Sequence, residues 1–152
     1  MENSFYNYPL LIKQLLISPL SSNPEQEIVD NENQRYDYKR LNTNIHTLAN
    51  ALRELGIKKG DTIGVMAWDT IRYLEFFFTI PMMGAILHTI NIRLSEQQIL
   101  YTINHADDDI LIVHHDFIQV IDKIRKKISK PTKIILLNSN KHNLSENNTY
   151  LY

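Results

Sequence analysis

The sequence predicts an α/β fold with a mostly parallel sheet and helices on both faces of the sheet. Strand and helix patterns alternate through most of the chain, an order that is typical of parallel sheets with right-handed crossovers. The strand candidates are continuous apolar runs, such as TIGVMAW at 62–68. Runs of this kind indicate strands that are covered by helices above and below.

The front of the chain carries the weaker signals. Apolar pairs at 10–18 are separated by Lys13 and Gln14, which is the spacing of a short amphipathic helix. The prolines of the following SPLSSNPEQ are expected to break that helix. The stretch EIVDNENQRYDY then predicts two short strands around an asparagine-rich turn at 30–33.

The clearest helix has leucine and isoleucine at steps of three and four residues, and these positions form one buried stripe. The stripe consists of Leu41, Ile45, Leu48, Leu52 and Leu55. Gly56 follows at once, where positive φ ends a helix at little cost. The segment KKGD then leads into a strand at 62–67.

An aromatic-rich helix follows the strand, and Asp69 or Thr70 is expected to cap it. Most of its circumference is apolar, so we expect it to be deeply buried, with the run 76–78 in the core. Pro81 is expected to kink or end the helix. The segment AILHTI at 85–90 predicts another buried strand.

Ser95 and Gln98 have the spacing of a capping box, in which each side chain bonds the other residue's backbone N–H. The helix that they start has Ile99 and Ile103 inward, and HADDD ends it before a strand at 110–113.

The last predicted helix begins at Asp116 as its cap and stops at Pro131, and a fourth strand lies at 133–137. Its inward-facing residues are Val120, Ile121, Ile124 and Ile128. The final segment, 138–152, is polar and rich in asparagine, and it is expected to be a loop.

Composition excludes several classes of protein. The net charge of −1 gives no reason to expect a nucleic-acid partner. The absence of cysteine excludes disulfides and cysteine-based zinc sites. The most apolar stretch, 76–90, is interrupted by Pro81, Gly84 and His88, so it falls short of the roughly 18 apolar residues of a spanning helix. We expect a cytoplasmic protein without a transmembrane segment.

The glycines argue against a nucleotide site within this chain. Phosphate loops in α/β folds need grouped glycines that let backbone N–H groups approach the anion. The four glycines, Gly56, Gly60, Gly64 and Gly84, form no group. The first two bracket a helix end and a strand start, which predicts turn roles, so no cofactor-binding residue is assigned.

The titratable clusters also favour structural roles. His114 and His115 are adjacent near a strand end, so their side chains are expected on opposite faces. A metal held by them with Asp116 is one interpretation, but the spacing matches no recognised ligand pattern, and no metal residue is assigned. His105 is expected to interact with a helix C-terminus. The turn 107–109 has three aspartates that are expected to be solvated, and no catalytic residue is assigned.

The segments 48–68 and 74–113 together resemble the front part of the AMP-forming acyl-CoA synthetases. These adenylate-forming ligases include fatty-acid, acetate and coumarate CoA ligases and luciferase. The elements AWDTIRYLE and GAILHTIN with RLSEQQI are similar to the medium- and long-chain fatty-acyl-CoA ligase branch, and a branch acting on methylthiopropionate is close to it. The resemblance covers 8–137, with one departure at Ile92, where that branch commonly has proline.

The resemblance implies part of the N-terminal domain of an acyl-adenylate-forming ligase, incomplete in this chain. Residues 1–137 would be a partial AMP-binding (adenylation) domain, and 138–152 a tail that stops before the phosphate loop. The complete enzyme would use ATP, Mg²⁺, CoA and a fatty acid, forming acyl-AMP and then acyl-CoA. The family's catalytic motifs have no matching positions here, so this N-terminal fragment is expected to bind no cofactor and to be inactive alone.

Two other functions stay open. The chain could be a non-catalytic interaction module that forms a homodimer or pairs with a full-length ligase. It could also be a nucleotide-binding α/β domain that acts alone, which the scattered glycines disfavour.

Overall fold

The computed structural model describes residues 9–30, 33–130 and 132–137, and the backbone of 149–151. Its main sheet has five parallel strands in the order β4-β3-β5-β6-β7. They are β3 (Thr62–Met66), β4 (Ile86–Thr89), β5 (Ile110–His114), β6 (Lys133–Leu137) and β7 (Thr149–Leu151). The predicted parallel sheet is confirmed.

Four helices connect or precede these strands, and they cover both faces of the sheet. They are α2 (Tyr38–Glu54), α3 (Ile71–Met82), α4 (Glu96–Ala106) and α5 (Ile118–Ile124). The helices α2 and α3 pack on one face, with Leu52 and Phe76 against Ile112. The helices α4 and α5 pack on the other, with Ile103 and Ile121 against the preceding residue of the same strand, Leu111. Side chains alternate between the faces of a strand, which is why neighbouring residues belong to two cores.

The front of the chain forms a small layer beside α2. A 3₁₀-helix (Ile12–Leu16) runs directly into α1 (Ile17–Ser22). The strands β1 (Glu27–Val29) and β2 (Arg35–Asp37) then pair antiparallel, as predicted. The expected helix break at Pro19 is wrong, because this proline lies in the first turn of α1, where the missing N–H is not needed.

The turn glycines behave as predicted. Gly56 and Gly60 have φ of 91° and 94°, and no atom lies within 4 Å of a Cβ built on either of them. Their role is therefore conformational, because residues with a Cβ rarely adopt positive φ.

Two segments are less buried than the sequence predicts. Strand β4 lies at the edge of the described sheet, and Ile86 is 55% exposed. In α3, Phe76 is buried, whereas Phe77 is 42% exposed. An apolar run indicates the kind of element, but its position in the sheet decides how much of it is covered.

The cap of α3 also differs from expectation. Thr70 is its N-cap residue, but its side chain makes no capping hydrogen bond. Instead, the Ile71 N–H donates to Oδ2 of Asp30, which follows β1, at 3.4 Å. A residue about forty positions away by chain thus takes the role that the local sequence suggested for Asp69 or Thr70.

The end of the described chain is shorter in helix and longer in sheet than predicted. Helix α5 ends at Ile124, and a 3₁₀-helix (Arg125–Lys127) follows it directly. Pro131, the predicted stop, lies outside the described residues. Residues 138–148 of the predicted loop also lie outside them, but Thr149–Leu151 pairs as a strand with β6. The domain boundary at 137 stays a prediction.

None of the helices in the described ranges has the length and apolar character that crossing a membrane requires.

Candidate functional site

The three aspartates between α4 and β5 have three different environments. Asp107 caps α4 with φ of 55° and stays exposed, whereas Asp108 is only 1% exposed. The expectation that the whole turn is solvated is therefore wrong. The buried Asp108 carboxyl has a partner: Nδ1 of His88, on β4, lies 2.9 Å from its Oδ2 and 3.0 Å from its Oδ1.

Gly64 makes room for this carboxylate. A Cβ on Gly64 would lie 2.7 Å from Oδ2 of Asp108, 2.7 Å from Leu111 Cδ2 and 2.9 Å from Ile90 Cδ1. The glycine in the middle of β3 therefore permits a close approach, not a turn. Its position opposite His88 in the register of β3 and β4 brings the three residues together.

Burial and charge shift the two neighbouring carboxyls in opposite directions. Burial raises the pKa of Asp108, and the hydrogen bond with His88 offsets part of that rise. The pKa of Asp109 is lowered, first by its hydrogen bond with Lys130 and then by the bond that it accepts from the Thr62 N–H at 2.8 Å. Both carboxyls precede β5, so they lie towards the amino ends of the strands and away from the edge where ligands of such sheets bind.

The carboxyl end of β5 brings three potential ligands together. His114 is the last residue of the strand, and His115 begins a 3₁₀-helix (His115–Phe117). His114 Nδ1 lies 3.3 Å from Asp116 Oδ2, and His115 Nε2 lies 2.9 Å from Asp116 Oδ1. The imidazole centroids are 4.3 Å apart, so the prediction that the two rings point to opposite faces is wrong. The strand ends at His114, so the alternation of side-chain directions along a strand does not extend to His115.

Trp68, which follows β3, completes this group. Its indole Nε1–H donates to Asp116 Oδ2 at 2.7 Å, and this bond is the main reason that the pKa of Asp116 is lowered. Asp116 therefore does not cap α5 with its side chain, as the sequence suggested; the cap residue of α5 is Phe117, whose side chain makes no capping bond. Since β3 and β5 are parallel neighbours, their carboxyl ends lie side by side. The order of the strands could therefore have predicted this contact, whereas the local sequence could not.

A polar cavity of about 260 Å³ lies between α2, α3 and the end of β6. Oε1 of Glu75 accepts from the Tyr36 hydroxyl at 3.1 Å and from Asn44 Nδ2 at 2.7 Å. Burial and the neighbouring Glu75 carboxylate raise the pKa of Tyr36. Arg40 lies 5.8 Å from the centre of the Tyr36 ring. The cavity is lined by hydrogen-bonded side chains and contains no glycine loop.

The residues described do not fit a bound Mg²⁺–ATP. The glycines serve turns or the packing under Asp108, and Mg²⁺ prefers oxygen ligands to the two imidazoles at the end of β5. His105, in the last turn of α4, stacks on Tyr101 with centroids 5.6 Å apart. The assignment of no catalytic, cofactor-binding or metal residue stays a prediction.

Comparison with known proteins identifies the family. The family described as "AMP-binding enzyme" matches this chain over residues 19–150. A 3-methylmercaptopropionyl-CoA ligase of Ruegeria lacuscaerulensis is 32% identical over 141 residues, covering 90% of this chain and 26% of the relative. A medium-chain-fatty-acid–CoA ligase of Ectopseudomonas oleovorans is 33% identical over 108 residues, covering 71% of this chain and 20% of the relative. The chain thus spans a fifth to a quarter of the length of these curated relatives.

Solved structures share the fold. An anthranilate CoA ligase in complex with anthranoyl-AMP superposes with a TM-score of 0.76 at 24% identity, over 85% of this chain and 25% of that chain. The N-terminal domain of FACL13 from Mycobacterium tuberculosis, crystallised with an inhibitor, superposes with a TM-score of 0.71 at 21% identity, over 80% of this chain and 31% of that one. The fold is therefore that of the N-terminal domain of adenylate-forming ligases. The family match covers most of this chain. The chain therefore belongs to the AMP-binding enzymes, as the strand and helix motifs at 48–113 indicated.

Proposed function

We propose that this chain is the front part of the adenylation domain of a fatty-acid CoA ligase. The observation that carries the proposal is the family match over 19–150. The two curated relatives compared above are both CoA ligases, which narrows the proposed activity within that family. Their named acids are 3-methylmercaptopropionate and medium-chain fatty acids. A carboxylic acid with a flexible chain is therefore the proposed substrate of the whole protein.

The proposed reaction has two steps. A carboxylate oxygen attacks the α-phosphorus of ATP, and pyrophosphate leaves as acyl-AMP forms. The thiol sulfur of CoA then attacks the acyl carbonyl and AMP leaves, while the thiol proton passes to a base. Both steps need donors that stabilise phosphate charge, with Mg²⁺ supplying part of that stabilisation.

The described residues supply a framework for this reaction, and we propose that the chain alone forms no acyl-AMP. The support is chemical. Two of the carboxyls with shifted pKa, Asp108 and Asp109, lie towards the amino ends of the strands. Another, Asp116, lies at the carboxyl end of β5 but accepts a hydrogen bond from Trp68. The space beside Gly64 is occupied by the Asp108 carboxylate. The part that this chain plays is to hold two buried cores on a rigid parallel sheet.

A segment exchange tests the proposal. In the Ectopseudomonas oleovorans ligase, the aligned segment is replaced by the corresponding residues of this chain. We expect the chimera to release pyrophosphate from ATP with a medium-chain fatty acid and to form acyl-CoA. The matched control is the same chimera with Gly64→Leu, which cannot pack over Asp108 and should lose both activities.

Two results would contradict the proposal. A chimera that melts cooperatively yet forms no acyl-AMP would show that this chain is not an equivalent framework. Pyrophosphate release by the 152-residue chain alone, above a blank without fatty acid, would show that it is not inactive. Co-purification with a full-length ligase, without any effect in the chimera, would favour the interaction module instead.

A further inference from the structure

We propose that His114, His115 and Asp116 form a binding site for a divalent first-row transition metal such as Zn²⁺. One potential ligand atom from each of the three residues lies within 4.8 Å of the other two. In the ranges that the structure describes, this is the one group of three such residues with that property. The site is separate from the reaction proposed above and does not depend on it.

The distances between donors suit a shared ion. Zinc binds imidazole nitrogen and carboxylate oxygen at about 2.0–2.2 Å, so two ligands of a tetrahedral ion lie about 3.4 Å apart. His115 Nε2 lies 2.9 Å from Asp116 Oδ1, and His114 Nδ1 lies 3.3 Å from the other carboxylate oxygen, Oδ2. His114 Nδ1 also accepts a long hydrogen bond from the Asp116 N–H at 3.4 Å, and a bound ion would replace that bond.

The backbone presents the three residues without a long-range rearrangement. His114 leaves the strand with φ of −66° and ψ of 142°, and the 3₁₀-helix then turns the next two side chains back towards it. The first ligand lies at the end of a central strand, where His114 is paired with Leu137 of β6. The other two ligands lie in the 3₁₀-helix that follows directly.

Trp68 supplies an outer hydrogen bond of the kind that orients metal ligands. Its Nε1–H donates to Asp116 Oδ2 at 2.7 Å, which constrains the carboxylate and leaves Oδ1 on the side of His115. The Trp68 ring also lies against Phe117, with centroids 5.0 Å apart. Two aromatic rings therefore border the group on one side.

The donor set selects the class of ion. Two imidazoles and one carboxylate suit Zn²⁺, Ni²⁺, Co²⁺ or Cu²⁺, whereas Mg²⁺ and Ca²⁺ prefer oxygen. The side chains of His115 and Asp116 are 40% and 44% exposed, so solvent reaches the ion and can fill its other positions.

The experiment uses the full chain and its single tryptophan, Trp68. Zn²⁺ is titrated by calorimetry, and Co²⁺ by its visible absorption and by quenching of Trp68 fluorescence. We expect one ion per chain, displaced by a chelator. His115→Ala and Asp116→Asn should each weaken Zn²⁺ binding at least about tenfold, as should His114→Ala.

Matched controls are His46→Ala and His105→Ala, which remove exposed histidines elsewhere and should leave the affinity unchanged. Circular dichroism verifies that each variant is folded, and His115→Ala decides the case if His114→Ala unfolds the chain. The proposal is overturned if Zn²⁺ does not bind, or if the His114→Ala/His115→Ala double variant binds it as tightly as the unchanged chain. Loss of binding in the two control variants would also overturn it, because the ions would then lie on other histidines.

Discussion

Nδ1 of His88 lies 2.9 Å from Oδ2 of Asp108, and the pair spans two strands that are not neighbours. His88 is on β4, and Asp108 lies two residues before the start of β5, so the pair crosses over β3. It does so at Gly64, the strand residue with no side chain. A buried carboxylate needs such a partner, because an unpaired charge in a protein interior is strongly unfavourable.

Gly64→Ala is expected to lower the free energy of unfolding by about 1–3 kcal/mol, the usual range for an overpacked core. The added methyl group would lie 2.7–2.9 Å from atoms of three buried side chains, so these side chains must shift to accept it. Urea denaturation followed by circular dichroism measures the effect. In an Asp108→Ala background one of the three contacts is gone, so the same substitution should be less destabilising there. An unchanged denaturation midpoint for Gly64→Ala would show that the core accepts the methyl group.

His88→Ala is expected to destabilise the protein by about 2–3 kcal/mol at neutral pH, because it leaves the buried Asp108 carboxyl without its hydrogen-bond partner. Burial raises the pKa of Asp108 in the folded protein, so ionisation of this carboxyl opposes folding as the pH rises through that pKa. The effect of His88→Ala should therefore shrink as the pH falls, since a buried carboxyl that has lost a partner is less unfavourable when protonated than when ionised.

Urea denaturation of both proteins between neutral and acid pH measures this dependence. The control is His46→Ala, on the exposed side of α2, which should change the stability by less than about 0.5 kcal/mol. An effect of His88→Ala that is the same at every pH would mean that the ring stabilises by packing alone.

Asp109→Asn is expected to lower the free energy of unfolding by about 1 kcal/mol at neutral pH, because it weakens charged hydrogen bonds to Lys130 and the Thr62 N–H. The side chain is 34% exposed, so solvent screens these interactions and the expected effect is small. The pKa of Asp109 is lowered by folding. Its stabilisation is thus present above the unfolded pKa and is lost as the pH falls through the folded one.

The matched control is Asp107→Asn, whose more exposed carboxylate contacts the same lysine at 3.2 Å. We expect that variant to stay within about 0.5 kcal/mol of the unchanged chain. Denaturation midpoints of Asp109→Asn and the unchanged chain should converge at acid pH; midpoints that stay equally far apart there would contradict the electrostatic account.

Ser95→Ala is expected to lower the free energy of unfolding by about 1 kcal/mol, which is typical of a lost N-cap. The Ser95 hydroxyl accepts from the Gln98 N–H at 3.4 Å, and Gln98 Oε1 accepts from the Ser95 N–H at 3.0 Å. Gln97→Ala in the same turn is the control, since that side chain is exposed and outside the box. Equal thermal midpoints for the two variants would show that the cap contributes nothing measurable.

Local patterns were enough to place most strands and helices of this protein. The strand β3, the stripe that begins at Leu41, the capping box at Ser95 and the turn at Gly56 all depend on residues a few positions apart. Interactions of such short range can be read along the chain. The order of these elements was also enough to indicate the family.

Contacts between segments that are distant along the chain were determined by the tertiary structure alone. The burial of Asp108 depends on His88 and on the missing side chain of Gly64, and the exposure of Ile86 depends on which strand lies at the edge. The meeting of Trp68 and Asp116 arises because two parallel strands end side by side. A linear pattern states which residues prefer burial, but it does not state which partner satisfies a buried charge, because that partner comes from strand order and register.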